Sequence, residues 1–169
     1  MSGLSRRIFL SAIVGIALCG GIALCGGVWA QTAGGPSPRV ALKGYDPVSY
    51  FTDGKPEQGS KKFTFAYDDT TYWFKSADHR DKFAADPERY APQFDGYCAV
   101  QLSWGHKVEA DPQAWTITDG KLYVFSIQKG VKKFESETVA IVDKAKENWP
   151  KLRNQETEPF RGPPSPGRS

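Results

Sequence analysis

An Asp-Gly pair set between two short aromatic and β-branched runs constrains the fold of this chain more than any other feature. Trp115-Thr116-Ile117-Thr118 leads into Asp119-Gly120, and Leu122-Tyr123-Val124-Phe125 leads out. A two-residue hairpin turn needs positive φ angles, which Asp and Gly adopt at low steric cost, so the spacing predicts an antiparallel hairpin. Phe63 to Tyr67, the turn Asp68-Asp69-Thr70 and Thr71 to Phe74 predict a second one upstream. Ser76 is placed to cap a helix, with Asp78 in its first turn, that carries Ala77, Phe83 and Ala84 and stops before Pro87. Residues 94–100 read equally as a strand or a helix start. Val131, Phe134, Val139, Val142 and Ala145 lay an apolar stripe along a C-terminal helix from about Gln128 to Trp149, which Pro150 is expected to end. Two hairpins and several helices without βαβ alternation predict the α+β class.

The first 30 residues read as an export signal. Ser5-Arg6-Arg7-Ile8-Phe9-Leu10 places paired arginines ahead of an apolar run that reaches Trp29, and Val28-Trp29-Ala30 supplies small residues at the outer positions of a cleavage site. Paired arginines point to twin-arginine translocation. The run approaches the length of a membrane span, so an uncleaved anchor is the alternative. Within it Gly15–Gly20 and Gly21–Gly26 are a direct duplication of one hexapeptide. Cleavage near Ala30 would leave a periplasmic or extracellular chain. Residues 31–38 then form a Gly/Pro linker, 39–153 a folded domain, and 154–169 a Pro-rich, disordered tail. Loss of Arg6 and Arg7 lowers the formal charge from +3 to +1, which gives no basic surface for nucleic acid. Partners are therefore expected to be the translocase during export and a metal ion or small ligand afterwards.

Cys19 and Cys25 leave with the signal, so Cys98 is the one cysteine of the exported chain and no internal disulfide can form. A lone thiol in an oxidising compartment is buried, liganded or reactive. Asp46, His79 and His106 are the candidate co-ligands for a soft or borderline ion held on Cys98, Cu(I) or Zn(II). The plainer reading makes Cys98 a buried thiol and both histidines surface residues. No phosphate loop, nucleophile elbow or paired Cys-x-x-Cys occurs, and no catalytic residue is assigned. Tyr45, Tyr50, Phe51, Tyr72, Trp73, Phe74, Tyr97 and Trp104 are expected in the core.

Gly44-Tyr45-Asp46-Pro47-Val48-Ser49-Tyr50-Phe51, Tyr72-Trp73-Phe74-Lys75-Ser76, the run Phe83 to Gln93 and Gly96-Tyr97-Cys98-Ala99 resemble the YHS domain family. They are most similar to its exported branch, labelled YHS domain-containing (seleno)protein. The resemblance continues through Asp111-Pro112, Ala114-Trp115, Asp119 to Tyr123 and Asn148-Trp149-Pro150. It implies a small treble-clef-like module of the kind found on heavy-metal pumps and copper-handling proteins. In those modules one cysteine follows Asp-Pro-Val and two more lie in a Phe-Cys-Ser-x-x-Cys run. Here Ser49, Lys75 and His79 stand in the three cysteine places. A lysine cannot replace a thiolate as a soft ligand, so Cys98, which belongs to the exported branch's own motif, is the remaining soft anchor.

The expectation is an exported, non-catalytic YHS-like domain that binds a metal ion or small ligand near Cys98. The alternatives are a thiol-redox protein using Cys98 with an external thiol partner, and a purely structural or interaction domain. If the twin-arginine route is correct, changing Arg6 and Arg7 together to lysine will remove the protein from the periplasmic fraction. Undiminished export of that variant would exclude the route.

Overall fold

The computed structural model describes residues 39–162; the expected signal, the linker and the last residues of the expected tail lie outside them. The chain is α+β, as its hairpin and helix patterns predict. In order come β1 (Arg39–Val40), α1 (Ser49–Thr52), β2 (Ser60–Tyr67), β3 (Thr70–Phe74), α2 (Ala77–Ala85), α3 (Pro87–Tyr90), α4 (Ala99–Ser103), β4 (Asp111–Thr118), β5 (Lys121–Phe125), α5 (Gln128–Ser136) and α6 (Thr138–Leu152). β2 and β3 pair antiparallel, and β1 adds to β3 in parallel. β4 and β5 form the second hairpin. Both turns are left-handed, with φ of 49° and 60° at Asp68-Asp69 and 51° and 69° at Asp119-Gly120. Ser76 caps α2 through a bond from the His79 amide. No helix among the described residues is long and apolar enough to cross a membrane.

The two halves of the chain repeat one another. β2 and β4, β3 and β5, α2 and α5 begin 51 positions apart (60 to 111, 70 to 121, 77 to 128) and have equal lengths. Even the irregularities coincide: the register shifts between Ser60 and Thr64 in one hairpin and between Asp111 and Trp115 in the other. Ahead of each hairpin lies a left-handed turn, at Leu42-Lys43 before Gly44-Tyr45 and at Phe94-Asp95 before Gly96-Tyr97. Asp86 and Glu137 close α2 and α5 with the same pair of amide bonds, to Lys82 and Phe83 and to Lys133 and Phe134.

Packing follows the repeat. Phe83, fully buried on α2, lies 4.8 Å from the Tyr72 ring and 5.1 Å from Phe74. Phe134 on α5 lies 4.7 Å from Tyr123 and 5.2 Å from Phe125. Phe83 also meets Phe65 and Tyr67, at 5.9 and 6.2 Å, so each helix drives one phenyl ring onto aromatic side chains of its own hairpin, and the core around Phe83 takes in Leu122 and Val124 of β5 as well. Of the aromatics expected inside, Tyr50, Tyr72, Phe74 and Tyr97 are buried, while Tyr45 and Phe51 flank the core. Burial pushes the Tyr50 and Tyr72 phenols well above their usual range.

Three expectations are corrected. The C-terminal helix is two helices, broken at Glu137, where φ is −137°. The Thr138 hydroxyl donates to the Phe134 carbonyl at 2.7 Å, the acceptor that an unbroken helix would give to the Thr138 amide. The break rotates the stripe, so Val139 is 74% exposed while Ile141 is buried. Pro150 does not end α6. The helix runs on to Leu152, whose buried side chain packs beside Trp149 and holds the last turn, and the Arg153 amide closes onto the Trp149 carbonyl.

The tail is the third correction, because up to residue 162 it returns to the domain. Lys107, only 7% exposed, donates from Nζ to the Arg153 and Gln155 carbonyls at 2.7 Å each. This places a cation at the negative end of α6. The Glu158 amide then donates to the Lys107 carbonyl at 2.7 Å, and Glu158 bridges to Val108 in parallel. Truncating either aromatic hub should be severe. Phe83→Ala and Phe134→Ala are each expected to cost about 3–5 kcal/mol in urea denaturation, and a loss below about 1 kcal/mol would show that the ring is not central to its half.

Candidate functional site

The repeat places Asp46 and Cys98 at one structural position, because each follows a left-handed glycine and an extended tyrosine and precedes a short helix. Their backbones are used alike: the Asp46 amide donates to the Glu57 carbonyl at 2.9 Å and the Cys98 amide to the Val108 carbonyl at 3.0 Å. The two side chains have different surroundings.

Asp46 is completely buried. Its Oδ1 accepts the Val48 amide at 2.8 Å, and Oδ2 accepts the Lys75 amide at 2.9 Å and lies 2.7 Å from Nδ1 of His79. The Ser49 hydroxyl donates to the Asp46 carbonyl at 2.7 Å and accepts the Glu57 amide at 3.1 Å. A carboxylate with this many donors is satisfied without water. His79 is 5% exposed, not on the surface as its neighbours Asp78 and Arg80 suggest. Lys75 turns its ammonium outward to Asp53, and that pairing holds the Asp53 carboxyl below its usual range.

Cys98 is 1% exposed, and its sulfur accepts the Ser126 hydroxyl at 3.4 Å. Beside it lies a cavity of about 190 Å³ with an apolar wall that includes Val100, Trp104 and Ile127. The repeat explains this opening. Gly130 stands at the place on α5 that His79 occupies on α2, and it lines the cavity. A Cβ at Gly130 would lie 3.0 Å from Phe125 Cβ, so any larger residue there would press on the Phe125 side chain. The returning tail supplies Phe160 as another wall, and the Arg161 carbonyl takes the Gln101 amide NH2. A second cleft, of about 220 Å³ between Arg39 and Lys107, is crowded by its own ion pair of Arg153 with Asp68.

Of the four expected metal-site residues, only Asp46 and His79 meet. His106 pairs with Glu158 of the tail, Nδ1 to Oε2 at 3.3 Å. Cys98 lies in the core of the second half. No group of three or more His, Cys, Asp and Glu side chains among the described residues is placed to share an ion. Nδ1 of His79 is already engaged by a carboxylate whose oxygens carry two further amides, so the set Cys98, His79, His106 and Asp46 does not fit a copper or zinc ion. Sequence patterns alone do not single out Gln101, Ser126, Gly130 or Phe160. A glycine in the first turns of α5, unfavourable in a helix without a packing reason, is the one signal that points to the cavity. No family model, no curated protein and no solved structure matches the chain.

The Asp46 network should be structural. Asp46→Ala leaves two amides and an imidazole without their acceptor and is expected to destabilise the chain by about 3 kcal/mol or more. Urea denaturation measures this, and a loss below about 1 kcal/mol would remove the network from the account of the fold.

Proposed function

We propose that the chain is an exported YHS-like binding module, non-catalytic, that holds a small planar molecule in the socket beside Cys98. The YHS resemblance is supported by Asp46: the side chain of Ser49, the amide of Lys75 and the imidazole of His79, at the three cysteine places of the metal-binding members, all converge on that one residue. Hydrogen bonds here do the cross-linking that thiolates and an ion would do there. The observation that carries the binding role is the repeat. The same position holds an imidazole ring on Asp46 in the first half and an open, apolar-walled cavity on Cys98 in the second. Cavities of this kind, with a few polar groups, are where small ligands bind.

A second reading keeps Cys98 as a redox thiol. It is favoured by the Ser126 hydroxyl, which donates to the sulfur at 3.4 Å. Oxidation by hydrogen peroxide would give the sulfenic acid and release water, and an external thiol would have to restore it.

Toluene tests the binding role because it is a neutral ring of suitable size. At ten times its dissociation constant it should stabilise the protein by about 1.4 kcal/mol, a rise of a few degrees in Tm. Ser126→Leu, which puts a branched side chain into the cavity, should abolish the rise. No stabilisation of the unmodified chain would sink the proposal, and a Cu(I) affinity lost in Cys98→Ala would favour the metal reading instead.

A further inference from the structure

We propose that residues 159–162 form a lid over the socket beside Cys98, with Phe160 as its closing side chain, so that a small molecule enters and leaves only when those four residues lift. This regulation of the socket rests on the small-ligand reading above. Phe160 is 50% exposed and still lines the cavity. One part of its surface therefore meets water while another part closes the socket. Ile127, which is 38% exposed, also lines the cavity. Side chains that are both exposed and in the cavity wall stand at its mouth.

Glu158 is the hinge. Its amide donates to the Lys107 carbonyl at 2.7 Å, its backbone bridges to Val108, and its carboxylate lies 3.3 Å from Nδ1 of His106. Pro159 follows, with no amide hydrogen to give. Beyond it, one hydrogen bond to the rest of the domain is made among the described residues: the Gln101 NH2 donates to the Arg161 carbonyl. The Arg161 guanidinium turns back to the hinge, Nε to Oε2 of Glu158 at 2.9 Å. Residues 159–162 are all exposed, and none belongs to a core cluster. A segment with one hydrogen bond and little burial opens locally at far lower cost than the domain unfolds.

Behind the lid the wall is firm. Cys98 and Gln101 line the cavity and are each 1% exposed. Gln101 belongs to α4, which Asn148 of α6 ties down through Nδ2 to the Leu102 carbonyl at 2.9 Å. The latch therefore joins a weakly held segment to a well-anchored helix. When the lid lifts, the freed Arg161 carbonyl meets water, and so does the Gln101 amide as water enters the socket, so the net cost of unlatching is small. An apolar occupant that touches Phe160 favours the shut lid, which couples closure to binding.

Cys98 reports the opening. Iodoacetamide alkylation of the full chain, followed by mass spectrometry of the peptide that carries Cys98, reads the fraction of time the lid is open. The unmodified chain should react slowly, at a rate that small additions of urea leave unchanged, because a local opening exposes little surface. Phe160→Ala should raise the rate about five- to tenfold at unchanged Tm, and Phe160→Leu should restore most of the protection. Saturating toluene should slow alkylation of the unmodified chain. Equal rates in Phe160→Ala and the unmodified chain would overturn the lid. A rate that climbs with urea as steeply as global unfolding would overturn it too. If Phe160→Ala reacts faster and toluene gives no protection, the lid stands and the small-ligand reading falls.

Discussion

A carboxyl with no exposure to water has to be surrounded by hydrogen-bond partners, and Asp46 gathers its partners from three places in the chain: the start of α1, the end of β3 and the first turn of α2. Those bonds fix how the first hairpin and its helix meet the turn at Gly44. A polar group in such a place is costly to strip of its partners, so every residue that touches it is constrained. Lys75 contributes its amide alone and leaves its side chain to Asp53 in solvent. Ser49 uses its hydroxyl twice, as donor to the Asp46 carbonyl and acceptor of the Glu57 amide. The hub ring of Phe83 then packs beneath a frame already set by polar bonds.

The second half has the same frame with the polar centre removed. Cys98 replaces the carboxylate and Gly130 the imidazole, and the aromatic packing of Phe134 on Tyr123 and Phe125 repeats that of Phe83 to within about 0.1 Å in ring separation. What held the first half by hydrogen bonds is held in the second by α6 and the returning tail. Lys107 ties the end of α6, and Glu158 extends the bond to Val108. A thiol asks for little from its surroundings compared with a carboxylate, so the space around Cys98 need not be filled for the fold to stand.

Features set by neighbours along the chain are legible in the sequence: both hairpins from their turn residues, α2 from Ser76, and the α+β class from the order of elements. Features set by distant partners are not. His79 sits between two charged residues and reads as a surface side chain; its burial is imposed by Asp46, thirty-three positions away. The break at Glu137 depends on a hydroxyl that competes with its own amide. The tail has the composition of a disordered segment, and its placement comes from backbone bonds that composition does not register. Metal-site candidates chosen by ligand chemistry alone join residues belonging to different cores.

The duplication is hidden for a related reason. Gly44 and Gly96, Tyr45 and Tyr97, Val48 and Val100 match at one spacing, and Asp68 and Asp119, Tyr72 and Tyr123, Phe74 and Phe125, Lys82 and Lys133, Phe83 and Phe134 at another, one position shorter. Scattered identities across a one-residue offset give little signal, yet nearly all of them are residues that make a turn or fill a core. Most other positions diverged, Phe63 against Ala114, Trp73 against Val124 and Ser76 against Ile127 among them, and so did those around the centre of each half, Asp46 against Cys98, His79 against Gly130 and Asp78 against Lys129. Packing constrains the hubs and turns of both copies, and at Gly130 the close approach to Phe125 constrains the open copy as well. At Cys98 the departure replaces a hydrogen-bonded carboxyl by a buried thiol beside an open, apolar-walled cavity.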